Sequence, residues 1–204
     1  MKLKHVKWEL DGIEGFASPK IRYEQYMTPS ELACSVAHVM AVENDDISGK
    51  KVLDLGCGTG MLSAAVLLHG ASRVTGVDID GALEETYRKN LQGLPGEGKF
   101  RFLRLDVSGD DFSGVGRHDT AVINPPFGTK SNSGIDALFL EKALSIADVV
   151  YSMHKTSTRE YFQKKYAGRI TVLSKMLFEL KKTYKFQKKE SVHVEVDLIR
   201  VISK

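Results

Sequence analysis

The chain has 204 residues, of which 42% are apolar and 27% are charged, and its formal net charge is +3. This length can bury the core of one domain, and the composition is that of an ordinary globular protein, which argues against extensive disorder. No apolar run approaches the roughly 18 residues of a membrane span, and the N-terminus lacks the apolar core of a secretory signal.

Cysteine usage points to a reducing compartment. The two cysteines, Cys34 and Cys57, have no metal-type spacing and form no disulfide framework. We therefore expect no metal site, and a soluble intracellular protein that is cytoplasmic, or nuclear or nucleolar in a eukaryote.

The positive charge is concentrated in the C-terminal part of the chain. Residues 151–190 contain eleven Lys and Arg against three Glu, a local net charge of +8, so the remainder carries −5. Such segregation is typical of a surface that faces a polyanion, although a solvated lysine-rich face explains the charge alone equally well.

Predicted elements alternate between strand and helix along most of the chain. Residues 1–29 show no strong period. After them, apolar spacing predicts helices over 30–40, 61–69, 81–91, 137–147 and 157–166, and strands over 52–55, 73–78, 100–105, 120–123, 149–152, 170–180 and 192–202. This alternation predicts a single domain over residues 1–204 with a doubly wound, mostly parallel α/β sheet and an antiparallel edge.

The fourth predicted strand ends abruptly in Asn124-Pro125-Pro126-Phe127. Neither proline can donate a backbone hydrogen bond, so their carbonyls are left at the carboxyl edge of the sheet, where open α/β sheets bind ligands. An amide, a proline carbonyl and an aromatic ring suit a flat molecule that bears an amino group. Alternatively, the prolines merely stop the strand and Phe127 fills the core.

The first strand enters a glycine turn, Asp54-x-Gly56-x-Gly58-x-Gly60, that admits close approach of a ligand to the backbone. A dinucleotide fingerprint would need glycine where Met61 stands, so a nicotinamide cofactor is disfavoured. Asp78 ends the second strand and suits the hydroxyls of a ribose, and Asp106 follows the third strand and suits an adenine amino group.

These motifs resemble those of the class I S-adenosylmethionine-dependent methyltransferases, whose seven-stranded Rossmann-like sheet we expect here. With its flanks the resemblance becomes more specific. Glu24-Gln25-Tyr26-x-Thr28-Pro29, the run from Asn124 to Lys130, the run from Tyr151 to Arg159 and the run from Val194 to Arg200 are similar to the methyltransferase-like protein five family, which methylates adenine N6 in small-subunit ribosomal RNA.

The resemblance assigns two sets of residues. The cofactor S-adenosylmethionine would contact Gln25, Thr28, Asp54, Gly56, Gly58, Thr59, Met61, Asp78, Asp106 and Val107, with residues 1–29 as an extension that contributes to the site. The catalytic residues would be Asn124, Pro125, Pro126 and Phe127. Asn124 and the Pro125 carbonyl would each accept a hydrogen bond from one of the two N6 hydrogens, and Phe127 would stack on the base.

A base held in this way must leave a duplex or come from a single strand. The basic C-terminal part would hold the RNA backbone, and the predicted RNA-binding residues are Lys155, Arg159, Lys181, Lys182, Lys185, Lys188 and Lys189. A hairpin tip with two anchoring aromatics, Tyr184 and Phe186, is the alternative interpretation of the last five.

The resemblance also implies a possible partner, a small zinc-binding activator subunit that adds its strand to the sheet. Two further enzyme functions use an Asn-Pro-Pro-aromatic site, namely protein-glutamine N5 and DNA-adenine N6 methylation. A catalytically silent RNA-binding scaffold with this fold is the alternative outside catalysis, and the intact Asn124–Phe127 site argues against it.

Overall fold

The computed structural model describes residues 3–95, 98–128, 133–181 and 191–204. Within these ranges no helix is long and apolar enough to cross a membrane. The side chains of residues 179–181, 191 and 192 lie outside this description.

The N-terminal region is more regular than its sequence predicts. Helix α1 (Leu3–Asp11) buries Val6 and Leu10, which lie four residues apart on one face. The interpretation of residues 1–29 as lacking a period was therefore wrong at this helix. Helix α2 (Ser30–His38) follows and continues as a π-helical turn, Val39–Glu43.

The glycine-turn half contains three strands and two helices: β1 (Lys51–Leu55), α3 (Met61–Leu68), β2 (Arg73–Asp78), α4 (Glu84–Leu91) and β3 (Phe100–Arg104). All eight residues of α3 are buried, which explains why seven of them are apolar; the eighth is Ser63.

The second half begins with β4 (His118–Ile123), which ends directly before Asn124. It continues with α5 (Ile135–Ile146), β5 (Ala147–Lys155), α6 (Arg159–Lys165), β6 (Ile170–Lys181) and β7 (Ser191–Ile202).

The seven strands form one sheet in the order β3-β2-β1-β4-β5-β7-β6. Strands β1 to β5 pair in parallel, whereas β7 pairs antiparallel with both β5 and β6. The predicted fold class is confirmed, including the antiparallel C-terminal hairpin. Because β1, β2 and β4 run in parallel, Asp54, Asp78 and Asn124 come to the same edge of the sheet.

Two apolar clusters cover the two faces of the sheet. One contains residues of α1, α2, α3 and α4, among them Val6, Val36, Val66 and Tyr87. The other contains residues of α5 and α6, among them Leu140 and Phe162. Helices on both faces make the sheet doubly wound and leave its carboxyl edge open for a site.

Candidate active site

A cavity of about 280 Å³ lies at the carboxyl edge of the parallel strands. Its wall includes all ten residues predicted to contact the cofactor: Gln25, Thr28, Asp54, Gly56, Gly58, Thr59, Met61, Asp78, Asp106 and Val107. Asn124 and Pro126 also line it. The folded chain thus brings the predicted cofactor residues and part of the predicted catalytic motif to one space.

Glycine is required in the turn between β1 and α3. Gly56 and Gly58 have φ values of +79° and +53°, in the left-handed region. A Cβ atom at Gly56 would lie 2.9 Å from the Phe139 ring, and one at Gly58 would lie 3.0 Å from the Phe16 ring. A side chain at either position would therefore be strained and would displace an aromatic ring from the cavity wall.

Asp78 connects this turn to the end of β2. Its Oδ2 accepts a hydrogen bond from the Gly58 backbone amide at 2.9 Å, and its Oδ1 accepts one from the Asp80 amide, also at 2.9 Å. Burial raises the pKa of Asp78, while these two hydrogen bonds favour the ionised form. The carboxylate therefore shapes the turn as well as the cavity.

Asp54 is fully buried and only partly satisfied. Ser63 Oγ donates to its Oδ2 at 2.6 Å, and Tyr87 OH donates in turn to Ser63 Oγ at 3.0 Å. Within the described part of the chain, Asp54 Oδ1 has no hydrogen-bond partner. Burial raises the pKa of Asp54 to about 7, against the Ser63 hydrogen bond, and the neighbouring Asp78 adds to the increase.

Asp106, the third predicted acid, lies on the cavity wall after β3. Its Oδ1 accepts from the Ser108 backbone amide at 2.8 Å, and its own amide donates to Asp110 Oδ2 at 2.7 Å. The acid is held in a local turn at the position that the sequence predicts.

Asn124 stands where β4 ends. Its Nδ2 donates to the Thr28 hydroxyl at 2.9 Å, which leaves Oδ1 as the atom of this amide that can accept a hydrogen bond. Phe127 packs edge-to-face on Phe178 with ring centroids 5.7 Å apart, and Lys155 Nζ lies 6.0 Å from the Phe127 centroid. Pro125 and Phe127 are not part of the cavity wall, so the motif divides between the wall and the area beside it.

The predicted RNA-binding residues differ in their surroundings. Lys155 lies near Phe127, as described above. Arg159 instead forms two hydrogen bonds of 2.7 Å with Asp197, whose side chain is 1% exposed. Lys182, Lys185, Lys188 and Lys189 lie outside the described residues, as does the side chain of Lys181.

Several wall residues escaped the sequence analysis. Phe16, Ile135 and Phe139 line the cavity, although the sequence around them carries no motif. Asp80, which is buried, binds Lys20 and Gln25. The second acid of Asp78-Ile79-Asp80 was the available indication, since a buried strand end rarely carries two acids without partners.

The cavity suits a cationic cofactor. Four acidic residues line its wall, namely Glu24, Asp54, Asp78 and Asp106. Among the described residues, none forms a hydrogen bond with the buried Asp54 Oδ1. A sulfonium or ammonium group nearby would offset the cost of burying these acids. Together with the strand order and the glycine turn, the site defines a class I S-adenosylmethionine-dependent methyltransferase.

Comparisons with known proteins specify the family. The Methyltransferase small domain family matches residues 35–146. The rRNA N(6)-adenosine-methyltransferase Mettl5 of Drosophila melanogaster is 43% identical over 98% of this chain and 96% of that protein. METTL5 of Danio rerio is 40% identical over 98% of both chains. The crystal structure of PH1948 from Pyrococcus horikoshii superposes with a TM-score of 0.84, at 34% identity, over 100% of this chain and 98% of that one.

The chain belongs to the methyltransferase-like protein five family. This confirms the resemblance that the sequence motifs carry, and it confirms S-adenosylmethionine as the cofactor.

Proposed function

We propose that the protein transfers a methyl group from S-adenosylmethionine to the N6 amino group of an adenine in small-subunit ribosomal RNA. The observation that carries the proposal is the position of Asn124, whose Nδ2 is fixed by Thr28 at the wall of the cavity that also contains Asp54 and Asp78. Two relatives that cover 98% of the chain are rRNA N(6)-adenosine-methyltransferases, which supports the same reaction.

The roles of the motif follow from the chemistry of an exocyclic amine. Its lone pair is delocalised into the base, so it is a poor nucleophile. We propose that Asn124 Oδ1 and the Pro125 carbonyl each accept a hydrogen bond from one of the two N6 hydrogens. These two hydrogen bonds favour a pyramidal nitrogen with a localised lone pair. Phe127 would stack on the base and hold it in place, a contact that is worth about 1–3 kcal/mol.

The cofactor, when bound, supplies a methyl group that its sulfonium already activates. The chain must therefore mainly position the amine, which can account for much of the rate of such a transfer. Asp78 would hold the ribose, Asp106 the adenine amino group, and Asp54 the cationic end of the cofactor. Gly56 and Gly58, which have no side chains, would let the cofactor approach the backbone.

Lys155 is the described residue best placed to hold the RNA beside the base. Its ammonium group lies 6.0 Å from the Phe127 ring, so a phosphate next to a stacked base would be within its reach. We propose that the lysines between β6 and β7, which lie outside the described residues, also bind the RNA backbone, because this part of the sequence is the densest in cations. The target adenine would be single-stranded or flipped out of a duplex.

We also propose an activator subunit as a partner and an intracellular location. Strands β3 and β6 stand at the two ends of the described sheet, and an edge strand can accept a strand from another protein.

Residues 1–204 would act as one domain, because α1 packs into the same core cluster as α2 and α3.

The test is methyl transfer from labelled S-adenosylmethionine to purified small-subunit rRNA, followed by identification of the modified nucleoside. We expect N6-methyladenosine with the wild type and none with Asn124→Ala. Asn44→Ala is the matched control and should retain activity, because the Asn44 side chain binds the Val39 carbonyl and is not part of the cavity wall. Large-subunit rRNA, duplex DNA and a glutamine-containing protein extract serve as competing substrates.

If the wild type alone is silent, the assay is repeated with an activator subunit. Labelling of DNA or protein in place of rRNA would overturn the proposed substrate. Cofactor binding without methyl transfer to any of these substrates, with the activator present, would favour the scaffold interpretation.

A further inference from the structure

Residues 14–28, which we call the strap, run between α1 and α2 along the cofactor cavity. Phe16 and the whole run 22–28 line the cavity. The strap contains neither an α-helix nor a β-strand, apart from one 3₁₀ turn at Ile21–Tyr23. Such a segment keeps its position through side-chain anchors on the sheet and helices beneath it.

The first and last anchors are asparagines. At the start of the strap, Asn90 Oδ1 accepts from the Glu14 amide at 2.9 Å, while Asn90 Nδ2 donates to the Glu14 carbonyl at 3.0 Å and to the Thr59 carbonyl at 2.8 Å. At its end, Asn124 donates to Thr28. Each asparagine therefore joins the strap to an element of the cavity.

The middle anchor is Asp80. Lys20 Nζ lies 2.6 Å from its Oδ1, and Gln25 Nε2 donates to its Oδ2 at 2.9 Å. Gln25 Oε1 accepts in turn from the Lys20 amide at 2.7 Å. The Asp80 amide donates to Asp78 Oδ1, so one residue connects the strap with the acid that ends β2.

The burial of Asp80 makes this anchor strong. Its side chain is 7% exposed, whereas Lys20 is 37% exposed. Burial opposes ionisation of Asp80, but the hydrogen bonds from Lys20 and Gln25 outweigh it and lower its pKa. Removal of the partner of a buried carboxylate leaves an uncompensated charge, which costs more than the loss of an exposed pair.

A second ion pair on the strap provides a comparison. Lys89 pairs with Glu14, but these side chains are 66% and 53% exposed. An exposed pair of this kind contributes little. The two pairs therefore differ mainly in the burial of the acid.

We propose that Asp80 is a positioning residue for the cofactor: its carboxylate holds the strap against the turn after β2, and so fixes one wall of the cavity. The inference rests on the proposed assignment of this cavity to S-adenosylmethionine. Without the anchor, the strap residues would have to be ordered when the cofactor binds, and the cofactor would bind more weakly.

The experiment measures the dissociation constant of S-adenosylmethionine by calorimetry for the wild type, Lys20→Met, Asp80→Asn and the double variant. We expect the dissociation constant to rise about tenfold in each single variant, the size expected for loss of a charged hydrogen bond. The double variant should be no weaker than the weaker single variant, because both changes remove the same contact. At saturating cofactor, kcat should stay within about twofold of the wild type, a split that general damage to the fold would not produce.

Two further variants separate the possible failures. Lys89→Met makes the same substitution at the exposed pair and should leave the dissociation constant unchanged. Asp78→Asn tests the cavity itself: unchanged cofactor binding in this variant would overturn the assignment of the cavity. If Asp78→Asn weakens binding but folded Lys20→Met and Asp80→Asn bind as the wild type does, the role of Asp80 is refuted.

Discussion

The side-chain amide of Asn124 donates a 2.9 Å hydrogen bond to the hydroxyl of Thr28, across 96 residues of sequence. Asn124 follows β4, whereas Thr28 ends the strap. The bond fixes which end of the amide is a donor to the protein, and therefore which end can accept from an amine. Thr28 thus connects the wall of the cofactor cavity to the proposed amine-binding residue.

Removal of the Thr28 hydroxyl should impair methyl transfer. Thr28→Val keeps the branched shape but loses the acceptor for Asn124 Nδ2, so the amide can rotate and its Oδ1 is no longer held in place. We expect kcat to fall about tenfold, as for the loss of one ordinary hydrogen bond in the transition state. Thr28→Ser restores the hydroxyl and should recover most of the rate. Equal activity of the Val and wild-type enzymes would mean that Asn124 is oriented by other contacts.

The buried acid Asp54 should cost stability at neutral pH. Its pKa of about 7 lies above the ordinary Asp value of about 3.9, so between these values the folded protein holds a proton that the unfolded chain has lost. This group therefore makes the free energy of unfolding fall as pH rises from about 4 to about 7, by at most about 1.4 kcal/mol per pH unit. Above pH 7 the loss is complete.

The Asp54→Asn side chain cannot ionise, so this variant should not lose stability between about pH 4 and about pH 7 as the wild type does. Without cofactor, its melting temperature should exceed that of the wild type at pH 8, and the difference should shrink as the pH falls toward 5. Its affinity for S-adenosylmethionine should be lower, because a neutral amide attracts a cation less than a carboxylate does. A difference in melting temperature between the variant and the wild type that stays constant across this pH range would show that Asp54 does not titrate as proposed.

The parts of the site that the sequence predicts are those encoded by neighbouring residues. The glycine turn, the acids at the strand ends and the Asn124–Phe127 run each need only a local pattern, because parallel strands bring their carboxyl ends together. The fold follows from the same alternation of strands and helices. Helix α1 was not predicted because only Val6 and Leu10 form its buried face, too few residues to show a helical period in the sequence.

The ion pairs between residues distant in the sequence could not be predicted from the sequence. Lys20 and Asp80 are 60 residues apart, and Arg159 and Asp197 are 38 apart. Nothing in the local pattern around Arg159 distinguishes an arginine that binds phosphate from one that neutralises a buried acid. Such pairs are set by the packing of strands, which brings Asp197 of β7 opposite His154 of β5.

His154 should stabilise the fold through two buried hydrogen bonds. Its Nε2 lies 2.6 Å from Ser152 Oγ, and its Nδ1 lies 3.2 Å from Asp136 Oδ2. Burial lowers the pKa of His154, although Asp136 opposes this, so the imidazole is neutral, donates to Asp136 and accepts from Ser152. We expect His154→Phe to lose about 1–3 kcal/mol of unfolding free energy, measured by chemical denaturation, because Asp136 keeps no imidazole partner.

The pH dependence of that loss has a definite sign. Below about pH 6.5 the histidine of the unfolded chain binds a proton, whereas buried His154 stays neutral because its pKa is lower. The unfolded state therefore gains stability as the pH falls, and the contribution of His154 to the free energy of unfolding is lost. The difference between wild type and variant should therefore be largest above pH 7 and smaller at pH 5. His5→Phe is the matched control, since His5 is half exposed in its pair with Glu9, and it should change stability little. A loss of equal size at both pH values would contradict this account.

Arg159 and Lys155 should respond differently to the same substitution. Arg159 Nε and Nη2 donate to the two oxygens of Asp197, and Thr156 Oγ1 donates to Asp197 Oδ1 at 3.0 Å. The buried acid loses its charge partner in Arg159→Ala, so we expect a lower melting temperature together with weaker RNA binding. Lys155→Ala should weaken RNA binding while the melting temperature stays the same, because Lys155 lies beside the proposed base site rather than in a buried pair.

The double variant Arg159→Ala with Asp197→Asn distinguishes the two roles of Arg159. It removes the uncompensated charge, so it should melt at a higher temperature than Arg159→Ala alone. If RNA affinity, measured by filter binding at fixed salt, recovers with stability, Arg159 acts through the fold of the β5–α6 connection. If stability recovers but affinity does not, the guanidinium itself contacts the RNA. Arg159→Ala with a wild-type melting temperature would refute the structural role of the pair.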